Sequence, residues 1–175
     1  MVKINLVNDD PTLLEADRIL EIRENAHPRR DYLGMSGAGD CPRKLFFAYR
    51  GVQPKPFKAT TLKNFASGHR AEPLIISRIR AVQGLTVVDN DPDTGEQFEV
   101  SDHDGNFLGH LDFEILGLLQ APKTWHVGEA KETNEKKLAE FRRIKQKVGE
   151  KNALKAWNIN YYVQHQLYMK YRKRK

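Results

Sequence analysis

At 175 residues, with 39% hydrophobic and 30% charged side chains and a net charge of +6, the chain has the size and balance of one domain able to bury a core. No apolar run reaches the length of a membrane span, and the acidic opening Asn8-Asp9-Asp10 does not read as a secretory signal, so no membrane partner is expected. The single cysteine, Cys41, excludes an internal disulfide and suits a reducing, intracellular setting.

Asp10-Pro11 opens a first predicted helix that fades near Asn25, with Leu13, Leu14, Ile19, Leu20 and Ile22 as its apolar stripe. Residues 26–39 read as a loop. Asp40 is placed to cap a second helix, Pro42 to about Tyr49, which would bury Leu45, Phe46 and Phe47. Residues 51–60, with two prolines, read as a connector. A third helix spans about Leu62 to Gln83, kinked or divided at Pro73. Glu72, Ile75, Ile79 and Val82 fall near one stripe of it, which turns Glu72 toward the core, a costly place for a carboxylate without a partner.

Strands follow. Leu85–Val88 reads as a short one. Phe98 and Val100 alternate with Glu99 and Ser101 in the next, and Asp104-Gly105-Asn106 makes a hairpin turn. The return strand runs from Phe107 to about Leu116, and after the Ala121-Pro122-Lys123 turn another spans Thr124–Lys131. The remainder is helical, about Asn134 to Val148 and then Trp157 to Tyr171, with a gap near Gly149. There is no internal repeat and no low-complexity segment.

The chemistry concentrates in the last two strands. Residues two apart share a strand face, so Glu129 and Lys131 point the same way and Asp112 can face them from the neighbouring strand. Two carboxylates and an ammonium form a site for a hard divalent cation and a phosphodiester. Asp112 and Glu129, helped by the backbone carbonyl of Ala130, supply an all-oxygen set that favours Mg²⁺ or Mn²⁺ over zinc. Lys131, kept charged by the acids, would orient an attacking water or stabilise the transition state. The plain alternative is a salt-bridged cluster on a sheet. Residues 131–175 hold 14 lysines and arginines against four acids, leaving the rest of the chain net acidic. That footprint suits a polyanion, with Lys136, Lys137, Arg142 and Arg143 on its phosphates, DNA being favoured once the motifs below are counted, although charge runs are also ordinary solvated helix faces.

Asp112 followed by Glu129-Ala130-Lys131 resembles the signature of the PD-(D/E)XK nuclease superfamily, and the company it keeps resembles the RecB-like and lambda-type phage exonuclease branches. Gly68-His69-Arg70-Ala71-Glu72 resembles their upstream glutamate on a helix, Gln164-His165-Gln166-Leu167-Tyr168 their downstream Q-x-x-x-Y element, and the segment from Ser36 to Leu45 their opening segment. The resemblance covers roughly residues 36–170. It implies an α/β restriction-endonuclease-like core, a small mixed sheet flanked by helices, in a single domain: residues 1–35 an N-terminal helix and loop, 36–171 the core, 172–175 a basic tail. It also implies that the last core strand, which follows the Q-x-x-x-Y helix in the family, is missing here. The implied activity is Mg²⁺- or Mn²⁺-dependent hydrolysis of DNA, most directly by an exonuclease of phage-type recombination or DNA processing. Asp112, Glu129 and Lys131 would carry the chemistry. Glu72 would hold a second ion or steady the site, and Gln164 would bond near the catalytic acid. Ser36 and Arg43 would grip a phosphate, and Tyr168 would contact DNA and support the site. His69 as a ligand and His110 at the rim stay open, as does a core role for the Gln164–Tyr168 aromatics. Implied partners are DNA with a free end, a single-strand annealing protein or further copies of the chain, in the cytoplasm of a bacterial or phage-infected cell. Some RecB-like members hold an iron–sulfur cluster through four cysteines; Cys41 alone cannot. The competing expectation is a binding module that keeps the core, lacks catalysis and holds DNA or a protein through its basic helices.

Overall fold

The computed structural model describes residues 10–28, 30–52 and 55–174, which build six α-helices and six short strands in a mixed α/β arrangement. The strands make two three-stranded sheets where one was expected. The first has β1 (Leu33–Gly34), β4 (Phe107–His110) and β3 (Glu99–Asp102), in the order β1-β4-β3. The second has β2 (Thr86–Val88), β5 (Phe113–Leu116) and β6 (His126–Gly128), in the order β2-β5-β6. β1 runs parallel to β4, and the other pairings are antiparallel.

The division falls inside the segment expected to be one strand, 107–116. Leu111 is buried with Met35, Phe98, Val100 and Tyr168, whereas Phe113 and Ile115 are buried with Ile76. Two apolar clusters claim alternate ends of the segment, and Asp112 stands at the bend between them. The β3 alternation holds, with Phe98 and Val100 buried and Glu99 and Ser101 exposed. The β3–β4 hairpin closes through left-handed backbone at His103, Asp104 and Gly105, φ 51°, 54° and 82°, which glycine adopts freely and aspartate tolerates.

α1 (Pro11–Asn25) starts as expected, the Asp10 carboxylate accepting from the backbone N–H groups of Thr12 and Leu13 at 2.8 and 3.2 Å. Its stripe is not buried, for Leu13, Leu14, Ile19 and Ile22 are each more than half exposed. What α1 grips is polar. Asn25 accepts from the Phe57 N–H at 2.8 Å and donates to the Phe57 carbonyl at 3.0 Å. Glu21 accepts from the Ala59 N–H at 2.9 Å, satisfying an orphan donor at the start of α3 (Ala59–Arg80), whose own cap residue Lys58 has no side-chain bond to give.

α2 (Pro42–Tyr49) is capped by the Cys41 sulfur, which accepts from the Lys44 N–H, while Asp40 instead pairs with the Lys44 ammonium at 2.6 Å. Phe46 and Phe47 face outward, reversing their expected burial. α3 runs unbroken through Pro73, correcting the expected division. Proline costs the His69 carbonyl its helical donor, yet both residues are exposed, where water can take that donor's place. The helix ends at Arg80, so Val82 lies beyond it, exposed. α4 (Glu135–Val148), capped by Asn134, turns at Gly149 (φ 79°) into an unanticipated α5 (Glu150–Trp157). Asn158 then caps α6 (Ile159–Arg172), accepting from the Tyr161 N–H at 3.1 Å.

Residues 172–174 are not the free basic tail expected of them. Glu114 on β5 is 3% exposed, and Arg172 and Arg174 reach it at 2.7 and 3.1 Å. The two guanidinium groups lie over the rings of Phe98 and Trp125. Burial alone would raise the Glu114 pKa, but the bonds from both arginines carry it below the ordinary value. Its stabilising contribution is therefore present above the ordinary glutamate pKa and lost as pH falls through the lowered one. Arg172→Ala would leave a buried carboxylate half compensated and is expected to cost about 3 kcal/mol, read as a lower urea midpoint at unchanged slope.

Candidate active site

The site grows from the bend and from the end of β6. Phe113 pairs with Gly128, so the next step out sets Asp112 opposite Glu129. The Ala130 N–H donates to Asp112 Oδ2 at 2.7 Å, extending the pairing one step past the strand. Glu129, Ala130 and Lys131 thus lie beyond β6 rather than within it, correcting the expected strand end. Glu129 and Lys131 still meet on one side, Lys131 Nζ donating to Glu129 Oε1 at 2.5 Å.

Gln164, from the middle of α6, closes the constellation. Its Nε2 donates to Glu129 Oε1 at 2.8 Å and to the Tyr168 hydroxyl at 3.1 Å, and that hydroxyl donates to the His110 carbonyl at 2.7 Å. Residues four apart on a helix share a face, which is why Gln164 and Tyr168 act together. Tyr168 is 2% exposed, so it is a core support and not the DNA contact expected of it. Glycines permit the close packing. A Cβ on Gly109 would lie 2.7 Å from the Tyr168 ring and 2.9 Å from Met35 Cβ, and one on Gly128 would overlap the Phe113 ring. Gly128→Ala is expected to cost about 1–3 kcal/mol through this overpacking. Because Phe113 adjoins Asp112, the strain falls at the site, and thermal melts of parent and variant measure its cost.

Burial dominates the electrostatics. It pushes Glu129 up to about 7, with Lys131 opposing and Asp112 adding to the rise. Asp112 is raised by burial despite the Ala130 N–H, and Glu72 by burial and then by Asp112, against His69 and Lys131. Lys131 is pulled down by burial, but Glu129 and Asp112 outweigh that and raise it, so it stays an ammonium. His165, next to Gln164, is held below the ordinary histidine value by burial and by Lys131.

Both donors to Glu129 converge on Oε1, and its buried Oε2 has no hydrogen-bond partner. A free carboxylate oxygen in a buried acid pair suits a cation, whose charge would reverse the pKa shifts. Among the described residues no three His, Cys, Asp or Glu side chains gather into a ready cage. Asp112 and Glu129 could offer a cation oxygen donors alone, the donor type that suits Mg²⁺ better than zinc.

A cleft of about 240 Å³ brings Glu129, Lys131 and Gln164 together with Ser36, His110 and Arg30. Ser36 lines the cleft from the short 3₁₀ turn Met35–Gly37, and so does His110, 3.4 Å from Glu99. Glu72 and His69 approach Asp112 from α3 closely enough to shift the carboxyl pKa values. Arg43 does not join. It lies exposed on α2 with its guanidinium 5.7 Å from the Phe47 ring centre, and Arg30 is the arginine that lines the cleft. Sequence reasoning passed over Arg30 inside its loop; its nearness to Ser36 along the chain was the available signal. Lys136, Arg142 and Arg143 are exposed on α4, while Lys137 borders two neighbouring clefts. No helix among the described residues is long and apolar enough to cross a membrane. No family model matches the chain, and neither a curated protein nor a solved structure matches it.

Proposed function

We propose that this chain is a Mg²⁺- or Mn²⁺-dependent deoxyribonuclease of the PD-(D/E)XK kind, acting as an exonuclease. The observation that carries the reading is the buried pair Asp112 and Glu129 at adjacent strand ends, with Glu129 Oε2 unpartnered and Lys131 alongside. A structural salt bridge has no use for a second buried acid and a free oxygen; a phosphodiester-cleaving site uses both. Gln164, bonded to Glu129, and Glu72, whose carboxyl feels the charge of Asp112, support this reading.

Bound at Asp112 and Glu129, the ion would polarise the scissile phosphate and lower the pKa of a water. Lys131 holds a fixed positive charge beside the phosphate and directs the attacking water by hydrogen bonding. In the metal-free site Glu129 and Asp112 keep it an ammonium. Gln164 fixes the Glu129 rotamer by occupying Oε1. Arg30 and Ser36 offer a fork of donors and a hydroxyl to a phosphate oxygen across the same cleft.

The test is incubation of linear duplex and closed circular DNA with Mg²⁺ or Mn²⁺. Loss of the linear form alone is expected. Nicked circles would make the enzyme an endonuclease, and a folded parent that binds DNA yet cuts neither form sinks the reading in favour of a binding module.

A further inference from the structure

Lys131 borders a second cleft, of about 230 Å³, that the chemistry above does not use. Its aromatic wall is Trp157 and Tyr161. Trp157 is the last residue of α5 and Tyr161 lies in the first turn of α6, brought together by the corner at Asn158. The rings form a chain: Phe141 to Trp157 with centres 5.1 Å apart, Trp157 to Tyr161 at 5.9 Å, then the Lys131 ammonium 5.8 Å from the Tyr161 ring. None of the three rings is fully buried. Lys137 adds a second cation to the wall, and Glu132 and Glu140 are its acids.

A cluster serving only to hold helices together would bury its rings, whereas these keep part of their surface open beside two ammonium groups. Partly exposed aromatic side chains next to cations are the chemistry that takes up an unstacked nucleobase and its phosphate. The volume lies just under the 300–1,000 Å³ typical of drug-sized ligands, which suits one base and excludes a duplex. The geometry points to a stacking subsite for a single unpaired nucleobase of DNA, built by Trp157 and Tyr161 with Lys137 on its phosphate. The subsite rests on the nuclease reading and deepens it: the strand reaches Lys131 with a base already out of the helix, so frayed or single-stranded ends are the preferred substrate.

The test follows tryptophan emission in the full chain with EDTA present, so that no cleavage occurs. Trp157→Phe leaves Trp125 as the remaining tryptophan and isolates the Trp157 signal by difference. A short oligothymidylate is expected to quench Trp157, and a blunt duplex of equal length to leave it unchanged. Trp157→Ala should raise the Kd for the oligothymidylate about tenfold while moving the duplex Kd less than twofold. Unchanged emission, or equal quenching by the duplex, overturns the subsite; because the parent alone decides this, a variant that fails to fold does not rescue it. Intact quenching in a protein that never cleaves DNA would sink the nuclease reading alone, and intact cleavage without quenching would sink the subsite alone.

Discussion

Lys131→Ala is expected to lower metal-dependent DNA cleavage by about two to three orders of magnitude, the usual cost of removing one preorganised donor from a developing charge. The side chain is 39% exposed, so its loss leaves no large hole, and Gln164 continues to hold Glu129 Oε1. Folding should therefore survive, which separates a chemical defect from a structural one. Asp112→Asn should cost at least as much. Its amide oxygen can still accept from the Ala130 N–H, so the geometry persists while the charge is gone. Single-turnover rates on an end-labelled duplex measure both variants. A Lys131→Ala rate within tenfold of the parent means that the ammonium does not attend the reacting phosphate.

The second large effect concerns the metal-free protein, where the acid cluster should destabilise the fold at neutral pH. Glu129 has a folded-state pKa of about 7, above its ordinary value of 4.5. A raised pKa contributes stability that is complete below the unfolded value and is lost as pH rises through the folded one. Metal-free stability should thus fall between about pH 5 and pH 8, by on the order of 3 kcal/mol from Glu129, and the rises at Asp112 and Glu72 have the same sign. Mn²⁺ should recover the loss, most strongly at the high end, because the ion binds the ionised carboxylates and protons compete least there. Glu129→Gln should flatten the pH dependence and melt above the metal-free parent at pH 8. Thermal melts across pH, with EDTA or with Mn²⁺, decide the matter. If Glu129 were one half of an ordinary salt bridge, the substitution would lower the melting temperature at pH 8, and that outcome would falsify a site built to hold an ion.

What could be read from the residues follows local physics. Asp10-Pro11 announces a capped helix, the alternation from Phe98 to Ser101 announces a strand, and Glu129 and Lys131 share a side because an extended chain alternates, whether or not its strand continues. Signals of longer range misled. The α1 stripe looked like a buried face, yet the helix is held by Asn25 and Glu21 gripping backbone 32 and 38 residues away, which no periodicity reports. Phe46 and Phe47 looked like core and face outward. The C-terminal arginines read as a basic tail, but Glu114, a lone acid in an apolar strand, needs partners and the folded chain brings them from α6 and the residue pair beyond it.

By itself, then, the sequence determined the α/β character, the helix starts, the hairpin, and the acid, acid and lysine that belong on one side of adjacent extended segments. Each depends on torsions, caps or spacing within a few residues. Only the tertiary structure decided that two cores bend the 107–116 segment at Asp112, that Arg30 rather than Arg43 reaches the cleft, and that Tyr168 is walled in beneath Gly109. It also left Glu129 with a buried oxygen and no partner. Those outcomes depend on which distant surfaces exclude water together, and burial is a property of the assembled fold that no single stretch of chain contains.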